Sequence, residues 1–148
     1  LFEHVPLFTV DESKLVQHMF LANDQGGGHI KNLYLRDHKK RNFLLVAEQD
    51  RVIDLKDLKT RIESGRLSFG SSDRLMENLG VRPGAVTPLS MITGQAARVS
   101  IAVDAALLSC KQIYAHPLVN DRTVGLSPKA LTQFFDCVGC DVRWIDLP

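Results

Sequence analysis

This 148-residue chain lacks any long hydrophobic run. Its longest aliphatic stretches, residues 101–103 and 105–108, have the length of core segments and fall far short of the roughly 20 residues of a membrane-spanning helix. The first residues include Glu3, His4 and Pro6, which excludes a signal-peptide pattern at this end. We therefore expect a cytoplasmic protein without membrane contact.

The chain also lacks an excess of charge of either sign. Eighteen basic and seventeen acidic residues give a formal net charge of +1. Domains that coat nucleic acid through long-range attraction are strongly basic, so this class is excluded. A small footprint on one end of a nucleic acid stays open, because local basic patches suffice for it.

Cysteine is scarce as well. Cys137 and Cys140 form a C-x-x-C motif, but no second pair exists, and a structural zinc site needs four ligands. Because the motif follows Phe134 and Phe135 near a predicted helix end, we interpret its residues as core thiols. The sequence suggests neither a metal nor an organic cofactor.

Familiar catalytic signatures are missing. There is no G-x-S-x-G elbow, no H-E-x-x-H motif and no Walker-type loop. Gly26, Gly27 and Gly28 lack the preceding strand and following helix of a phosphate-binding loop, so we predict either a flexible loop or a close backbone approach there. The aromatics are mostly phenylalanines in apolar runs, which favours core positions over base stacking. The sequence thus offers no obvious side-chain nucleophile.

Periodicity and turn residues predict an α/β (α+β) fold, with a mixed, largely antiparallel central sheet and flanking helices. A basic turn, residues 38–41, joins the first two strands. Ser and Gly residues in the expected capping positions bound three of the helices. The predicted strands are 30–37, 42–49, 67–69, 98–103, 122–126 and 142–145, with a short extended piece at 7–10; the predicted helices are 11–21, 54–63, 71–79 and 128–138.

Three positions could carry chemistry. Lys31 shares a strand face with Leu33 and Leu35, so it is either a lysine reaching to water from a strand end or a cation aimed at a phosphate or carboxyl oxygen. His116 precedes a proline, which fixes its direction, and Asn120 could bond across the same turn or simply satisfy its backbone. The loop from Gly84 to Pro88 could hold a ligand with its amides or act as a plain connector.

In order, several blocks of this sequence resemble the YbaK/prolyl-tRNA-editing superfamily. They are K-N-L-Y-L-R-D from Lys31, R-L-S-F-G-S from Arg66, V-R-P-G-A-V-T-P from Val81, H-P-L-V-N from His116 and R-W-I-D-L from Arg143. The resemblance runs from about Pro6 to the C-terminus and is strongest to the free-standing alanyl-tRNA(Pro) deacylases. It implies a single editing domain over 1–148, preceded in relatives by a helix that this sequence lacks or truncates, and a mobile loop at residues 26–28.

The resemblance also implies a mechanism without a protein nucleophile. Water would attack the ester with help from a hydroxyl of the terminal ribose, while the protein orients the ester and stabilises the oxyanion. Lys31 would bind the phosphate or the ester end of the terminal adenosine, and His116 would act as a base. The other implied substrate-binding residues are Asn32, Ser71, Gly84, Ala85, Val86, Thr87, Pro88 and Asn120.

Substrate and partners follow as expectations. A pocket sized for a methyl group would reject proline by steric exclusion. The proline tRNA would be identified at its acceptor stem. Residues 38–41 either make this contact or form only a solvated hairpin tip. Prolyl-tRNA synthetase is a possible second partner. The alternatives are a cysteinyl-tRNA(Pro) deacylase, a non-catalytic module that binds aminoacyl-tRNA or a synthetase, and a small-molecule-binding regulator on the same fold.

Overall fold

The computed structural model describes residues 1–148 as a mixed eight-stranded sheet with helices on both faces. Its strands are β1 (Phe2–Glu3), β2 (Gly27–Asp37), β3 (Asn42–Glu48), β4 (Leu67–Phe69), β5 (Ser100–Asp104), β6 (Gln112–Ala115), β7 (Arg122–Leu126) and β8 (Arg143–Ile145). Its α-helices are α1 (Val10–Lys14), α2 (Leu55–Arg61), α3 (Ser72–Leu79), α4 (Met91–Gly94) and α5 (Pro128–Val138).

The strand order is β1-β7-β6-β2-β3-β5-β8, and β4 pairs with β2 outside this path. Four pairings are antiparallel, β1–β7, β6–β7, β2–β3 and β2–β4. The other three, β2–β6, β3–β5 and β5–β8, are parallel. The predicted fold class, a mixed and largely antiparallel sheet with flanking helices, is confirmed.

Side chains of the central strands alternate between the two faces of the sheet, so the hydrophobic core consists of two clusters. Tyr34, Leu44 and Val46 belong to a buried cluster that also takes side chains from α3, α4 and α5. Leu35 and Leu45 point the other way, into a second cluster covered by α2. Successive residues of a strand face opposite sides of a sheet, so β2 contributes to both layers.

Helix caps form where the sequence places them. Ser71 and Ser127 cap α3 and α5 through their side chains, and each helix ends at a glycine with positive φ, Gly80 and Gly139. Helix α2, predicted over 54–63, is capped by Asp54, whose side chain accepts a hydrogen bond from the Lys56 amide. Gly65 does not end this helix, because Glu63 takes the positive φ instead.

Of the two predictions for the three glycines, the close backbone approach is the one that the structure confirms. Gly26 ends a 3₁₀ turn with φ +94°, while Gly27 and Gly28 begin β2 and are buried. A Cβ on Gly27 would lie 1.9 Å from the Leu21 carbonyl oxygen, so the chain passes too closely for any side chain. The run therefore allows close packing at a strand start rather than flexibility.

The long helix predicted over 11–21 is wrong. The side chain of Thr9 does cap a helix, as expected, but α1 has five residues and is followed by a 3₁₀ turn at Gln17–Met19. Leu15, assigned to its apolar face, is 76% exposed. Helices this short depend on tertiary packing rather than on local propensity, and this one meets no core on that face. No strand forms at residues 7–10.

Smaller differences concern strands and side chains. The strand predicted from Arg98 begins at Ser100, because Arg98 has φ +59°. Cys140 packs against the core as predicted, whereas Cys137 is exposed. The phenylalanines are not all in the core, since Phe8 and Phe69 are exposed. The sequence reading missed β1, β6 and α4, which are short and lack turn signals on both sides.

No helix of the fold is long and apolar enough to cross a membrane.

Candidate functional site

The edge of β2 opposite β3 is only partly covered. Strand β6 pairs with residues 27–29 and β4 with residues 35–37, so residues 30–33 have no strand partner on that side. Strand β6 ends at Ala115 and the chain turns away at His116. A cleft therefore opens where β2 and β6 separate.

A small cavity of about 60 Å³ occupies this cleft. It brings together two of the predicted site residues, Asn32 from β2 and His116 from the end of β6. The rest of the lining is largely apolar or aromatic, from Leu7, Val16, Phe20, His29, Ile30, Tyr114 and Ala115, with Ser13, Gln17 and Thr123 among them.

Asn32 carries an unpaired polar atom in this cavity. Its side-chain oxygen is buried and has no hydrogen-bond partner within the protein. Buried polar atoms are almost always paired, and an exception in a cavity indicates a place for a ligand or water donor. An N–H or O–H group of a substrate could satisfy this oxygen.

His116 presents a defined acceptor to the same cavity. Its Nδ1 lies 2.9 Å from the Arg122 carbonyl oxygen, which can only accept, so Nδ1 carries the proton. Burial lowers the pKa of the imidazole and the nearby His4 lowers it further, although the bond to Arg122 opposes both. At neutral pH His116 is therefore uncharged, and its Nε2 has a free lone pair.

The other predicted binding elements meet at Leu7. The Asn120 amide nitrogen donates to the Leu7 carbonyl at 3.1 Å, and the Leu7 amide donates to the Asn120 carbonyl at 3.0 Å. A Cβ on Gly84, whose φ is +89°, would stand 3.2 Å from that Asn120 nitrogen. Because Leu7 lines the cavity, both the Gly84 loop and the Asn120 turn lie at its margin.

The Gly84 loop leaves several amides without acceptors. Ala85 donates to the Arg82 carbonyl, but the amides of Gly84, Val86 and Thr87 make no hydrogen bond within the protein. Thr87 is fully buried, so its free N–H is unusual. Unpaired amides of this kind can donate to a carbonyl oxygen or a developing oxyanion.

Other predicted residues have structural partners. The hydroxyl of Ser71 accepts from the Arg74 amide as the cap of α3, and Ser71 does not line the cavity. The side chains of Ala85 and Pro88 are buried, and the Thr87 hydroxyl accepts from the Leu89 amide. Their possible contact with a substrate is therefore through backbone groups.

Lys31 lies next to the cavity but on the other face of β2. Its Nζ donates to the Arg51 carbonyl. The Arg51 guanidinium is bonded in turn to buried Asp104 at 2.8 Å and to the carbonyls of Leu147 and Pro148. Lys31 does not line the cavity with Asn32 and His116; it can approach a substrate only across the uncovered edge of β2.

A larger cavity, about 660 Å³, lies elsewhere. It lies beside the start of β5 and is lined by Arg41, Arg98 and Arg143. It contains none of the predicted catalytic or substrate-binding residues, and its exposed arginines border solvent. We place the candidate site at the smaller cavity, because the unpaired Asn32 oxygen and His116 meet there.

The sequence reading missed much of the wall. Phe20, His29 and Tyr114 stack with ring centroids 4.6 and 5.4 Å apart, and the Tyr114 hydroxyl accepts from the Leu21 amide. These residues come from three separate segments, and no local pattern links them. No group of three or more His, Cys, Asp or Glu side chains is arranged to hold a metal ion.

Comparison with known proteins shows the family of this chain. The family model of the aminoacyl-tRNA editing domain matches residues 6–134. The prolyl-tRNA editing protein ProX of Acetoanaerobium sticklandii is 35% identical over 148 residues, covering 99% of this chain and 87% of ProX. The mouse prolyl-tRNA synthetase associated domain-containing protein 1 is 37% identical over 145 residues, covering 94% and 82% of the two chains.

A solved structure described as a candidate trans-editing enzyme for prolyl-tRNA synthetase superposes with a TM-score of 0.72. It shares 18% identity and covers 99% of this chain and 85% of its own, which shows the common fold. The family match confirms the predicted kind of enzyme, an aminoacyl-tRNA deacylase. The chain belongs to the aminoacyl-tRNA editing domain family.

Proposed function

We propose that this protein hydrolyses the ester of alanine wrongly attached to proline tRNA, acting on the tRNA after it has left the synthetase. The observation that carries the proposal is a pair of polar groups without partners at one cavity, the buried Asn32 oxygen and Nε2 of His116. The unpaired amides of the Gly84 loop are joined to this cavity through Leu7. An aminoacyl ester offers a matching set, with an ammonium and hydroxyls that donate and a carbonyl oxygen that accepts.

In this proposal the ester carbonyl lies against the Gly84 loop. Water attacks the carbonyl carbon, and the amides of Gly84, Val86 and Thr87 stabilise the negative charge that develops on the oxygen. The bond between the carbonyl carbon and the ribose oxygen then breaks, and the ribose oxygen takes up a proton. The products are free alanine and uncharged tRNA.

The polar side chains orient the reactants. The Asn32 oxygen accepts from the alanine ammonium, and Nε2 of His116 accepts from the attacking water or from the neighbouring ribose hydroxyl that assists it. Lys31 reaches across the uncovered edge of β2 to an ester or phosphate oxygen, leaving the Arg51 carbonyl. Ser71 and Asn120 support the loops around the cleft, and Ala85 and Pro88 contribute backbone shape.

The size of the cavity favours a small aminoacyl group. A space of about 60 Å³ admits a methyl side chain more readily than a pyrrolidine ring, so correctly charged prolyl-tRNA is rejected by exclusion. Exclusion by size separates alanine from proline better than it separates alanine from a similarly small side chain, because one methylene is worth only ~1–3 kcal/mol. Cysteinyl-tRNA(Pro) is therefore the substrate to test beside it.

The partner that this function requires is the acceptor end of proline tRNA. The names of the similar proteins mention prolyl-tRNA synthetase, and we include the synthetase in the proposal as a protein from which the tRNA is received. A soluble editing enzyme of this kind would act in the cytoplasm. It would need no metal or organic cofactor, since the amides and side chains described above supply the electrostatic stabilisation.

The test is deacylation of alanyl-, cysteinyl- and prolyl-tRNA(Pro) by the wild type, Lys31→Ala and a control lysine variant, Lys129→Ala. Lys129 is exposed on α5 and has no salt-bridge partner. We expect loss of alanine only, slowed by about 10²- to 10³-fold in Lys31→Ala and unchanged in Lys129→Ala. If the wild type cleaves none of the three esters, with or without the synthetase, the proposal is wrong and a binding module becomes the better description.

A further inference from the structure

An apolar rim borders the cleft on the side of the Gly84 loop. It consists of Phe8, Leu118 and Val119, which are 64%, 43% and 44% exposed. Phe8 follows Leu7, and the other two precede Asn120, so the paired backbones of Leu7 and Asn120 hold the rim together. None of the three belongs to either core cluster.

Phe8 touches the loop whose amides face the substrate. A Cβ placed on Gly84 would lie 2.8 Å from Cδ1 of Phe8, so the ring packs directly against this glycine. The Phe8 amide donates to the Glu12 carboxylate at 3.3 Å, and the neighbouring Leu7 is buried. The ring is thus held at the cleft margin while most of its surface stays free.

One residue of the rim, Leu118, has an unfavourable backbone conformation although its side chain is not part of the core. Leu118 has φ +69°, a region that non-glycine residues adopt uncommonly. Such strain persists only where the surroundings impose it, and it occurs often at binding sites. Here it turns an apolar side chain towards solvent beside the cleft, where folding alone gains nothing from it.

We propose that Phe8 stacks on the base of the 3′-terminal nucleotide of the tRNA, with Leu118 and Val119 as its apolar border. This inference rests on the proposed function. The aminoacyl ester and the terminal base are attached to the same ribose, so placing the ester against the Gly84 loop brings the base to the margin of the cleft. Phe8 is the exposed aromatic residue in contact with that loop.

Stacking suits this position because it requires no sequence-specific contact and no net charge. Every tRNA ends in the same nucleotides, so the enzyme needs affinity there rather than discrimination. Loss of one stacked base costs about 5- to 150-fold in affinity for single-stranded nucleic acid. A chain with a net charge of +1 has little long-range attraction for RNA, and a contact of this size would supply a substantial part of the binding.

The experiment is a cycle that removes the ring and the base separately. Alanyl-tRNA(Pro) with its normal terminal adenosine is compared with alanyl-tRNA(Pro) whose terminal ribose carries no base. Both are given to the wild type, Phe8→Ala, Phe8→Trp and Phe69→Ala. Phe69 is the matched control, because it is 66% exposed on β4 and lies opposite Leu35, outside the cavity lining. Thermal unfolding shows whether each variant is folded.

We expect the wild type to prefer the base-bearing tRNA by about 5- to 150-fold in kcat/KM, mainly through KM. Phe8→Ala should lose most of this preference, Phe8→Trp should keep it, and Phe69→Ala should match the wild type. If Phe8→Ala keeps the full preference, or if Phe69→Ala loses it, the assignment of the base to Phe8 is overturned. If the folded wild type hydrolyses neither tRNA, the proposed function itself fails, which is a different outcome.

Discussion

The hairpin end and the middle of β2 differ in how their buried polar groups are paired. At the hairpin end, the buried carboxylate of Asp37 accepts hydrogen bonds from the amides of Lys39, Arg41 and Gly65 and from the Arg41 guanidinium. In the middle of the strand, beside the cleft, the buried side-chain oxygen of Asn32 has no hydrogen-bond donor within the protein. Five residues of one strand, roughly 17 Å, separate the two.

The pKa of Asp37 reflects these hydrogen bonds. Burial alone raises the pKa of the carboxyl group, but the hydrogen bonds from Gly65 and Arg41 and the charge of Arg41 outweigh it and lower the pKa from 3.8 to about 2. The charged form is therefore the one that the fold stabilises. Satisfied groups of this kind fix a structure, whereas unsatisfied groups such as Asn32 are available to a ligand.

Among the changes that test this contrast between the cleft and the hairpin, the largest expected effect concerns His116. In His116→Asn the amide nitrogen can replace Nδ1 as donor to Arg122, but the acceptor Nε2 is lost, so deacylation should slow by about 10²-fold. The pH profile checks the cause. The pKa of His116 in the folded protein lies below its usual 6.5. The wild-type rate should therefore stay constant down to about pH 6.5 and fall at lower pH, as His116 becomes protonated. The variant should lack this acid limb; an unchanged limb would exclude His116 as its origin.

Asn32→Leu should separate activity from stability. Removing an acceptor that binds the substrate ammonium should lower kcat/KM by about 10- to 100-fold, the worth of a hydrogen bond to a charged group. Stability should not fall, because the leucine removes a buried unpaired oxygen. Kinetics and urea unfolding of the same preparation measure both. A clear loss of stability with normal kinetics would show that Asn32 serves the fold.

Asp37→Asn should lower stability and leave activity unchanged. It weakens hydrogen bonds to a charged acceptor, so the free energy of unfolding should fall by about 1–3 kcal/mol while kcat/KM for alanyl-tRNA(Pro) stays normal. The wild type should lose this stability as pH falls from about 4 through about 2, since the native pKa is lower than the unfolded one. Chemical denaturation between pH 2 and 7 checks both expectations, and equal pH dependence of the two proteins would contradict the role of Asp37.

The smallest effect should come from the hairpin tip. Lys39 and Lys40 are exposed and form no salt bridge. Replacing both by alanine should raise KM for tRNA by a few-fold at low salt and have almost no effect at high salt, because exposed charges are screened. A salt series of KM measurements decides whether the tip contacts the acceptor stem. No change at low salt would leave the turn as a solvated tip.

Local signals predicted much of the framework correctly. The caps Ser71 and Ser127, the terminal glycines Gly80 and Gly139, and the hairpin between β2 and β3 all lie where short-range patterns place them. These features depend on a few adjacent residues, whose backbone preferences do not need the rest of the fold. The short helix α1 and the strand start at Gly27 were misread, because packing against distant segments decides them.

The candidate site was likewise predictable only in part: its residues could be named from the sequence, but their arrangement could not. Lys31, Asn32, His116 and the Gly84 loop could be named as candidates from residue type and from resemblance, without any knowledge of their contacts. Their arrangement could not. The sequence grouped Lys31 with His116 in one pocket, whereas the fold places Asn32 beside His116 and gives Lys31 the Arg51 carbonyl on the opposite face.

The sequence by itself thus determined the family, the capped helices, the hairpin and the short list of polar residues, since each of these is encoded by neighbours along the chain. The tertiary structure alone decided which polar atoms are buried without partners, that β6 leaves β2 uncovered at residues 30–33, and that Phe8 lies exposed against Gly84. The physical reason is that burial and hydrogen-bond satisfaction depend on segments far apart in sequence. Only their packing brings Asn32 and His116 to one cavity and joins the Gly84 loop to it through Leu7.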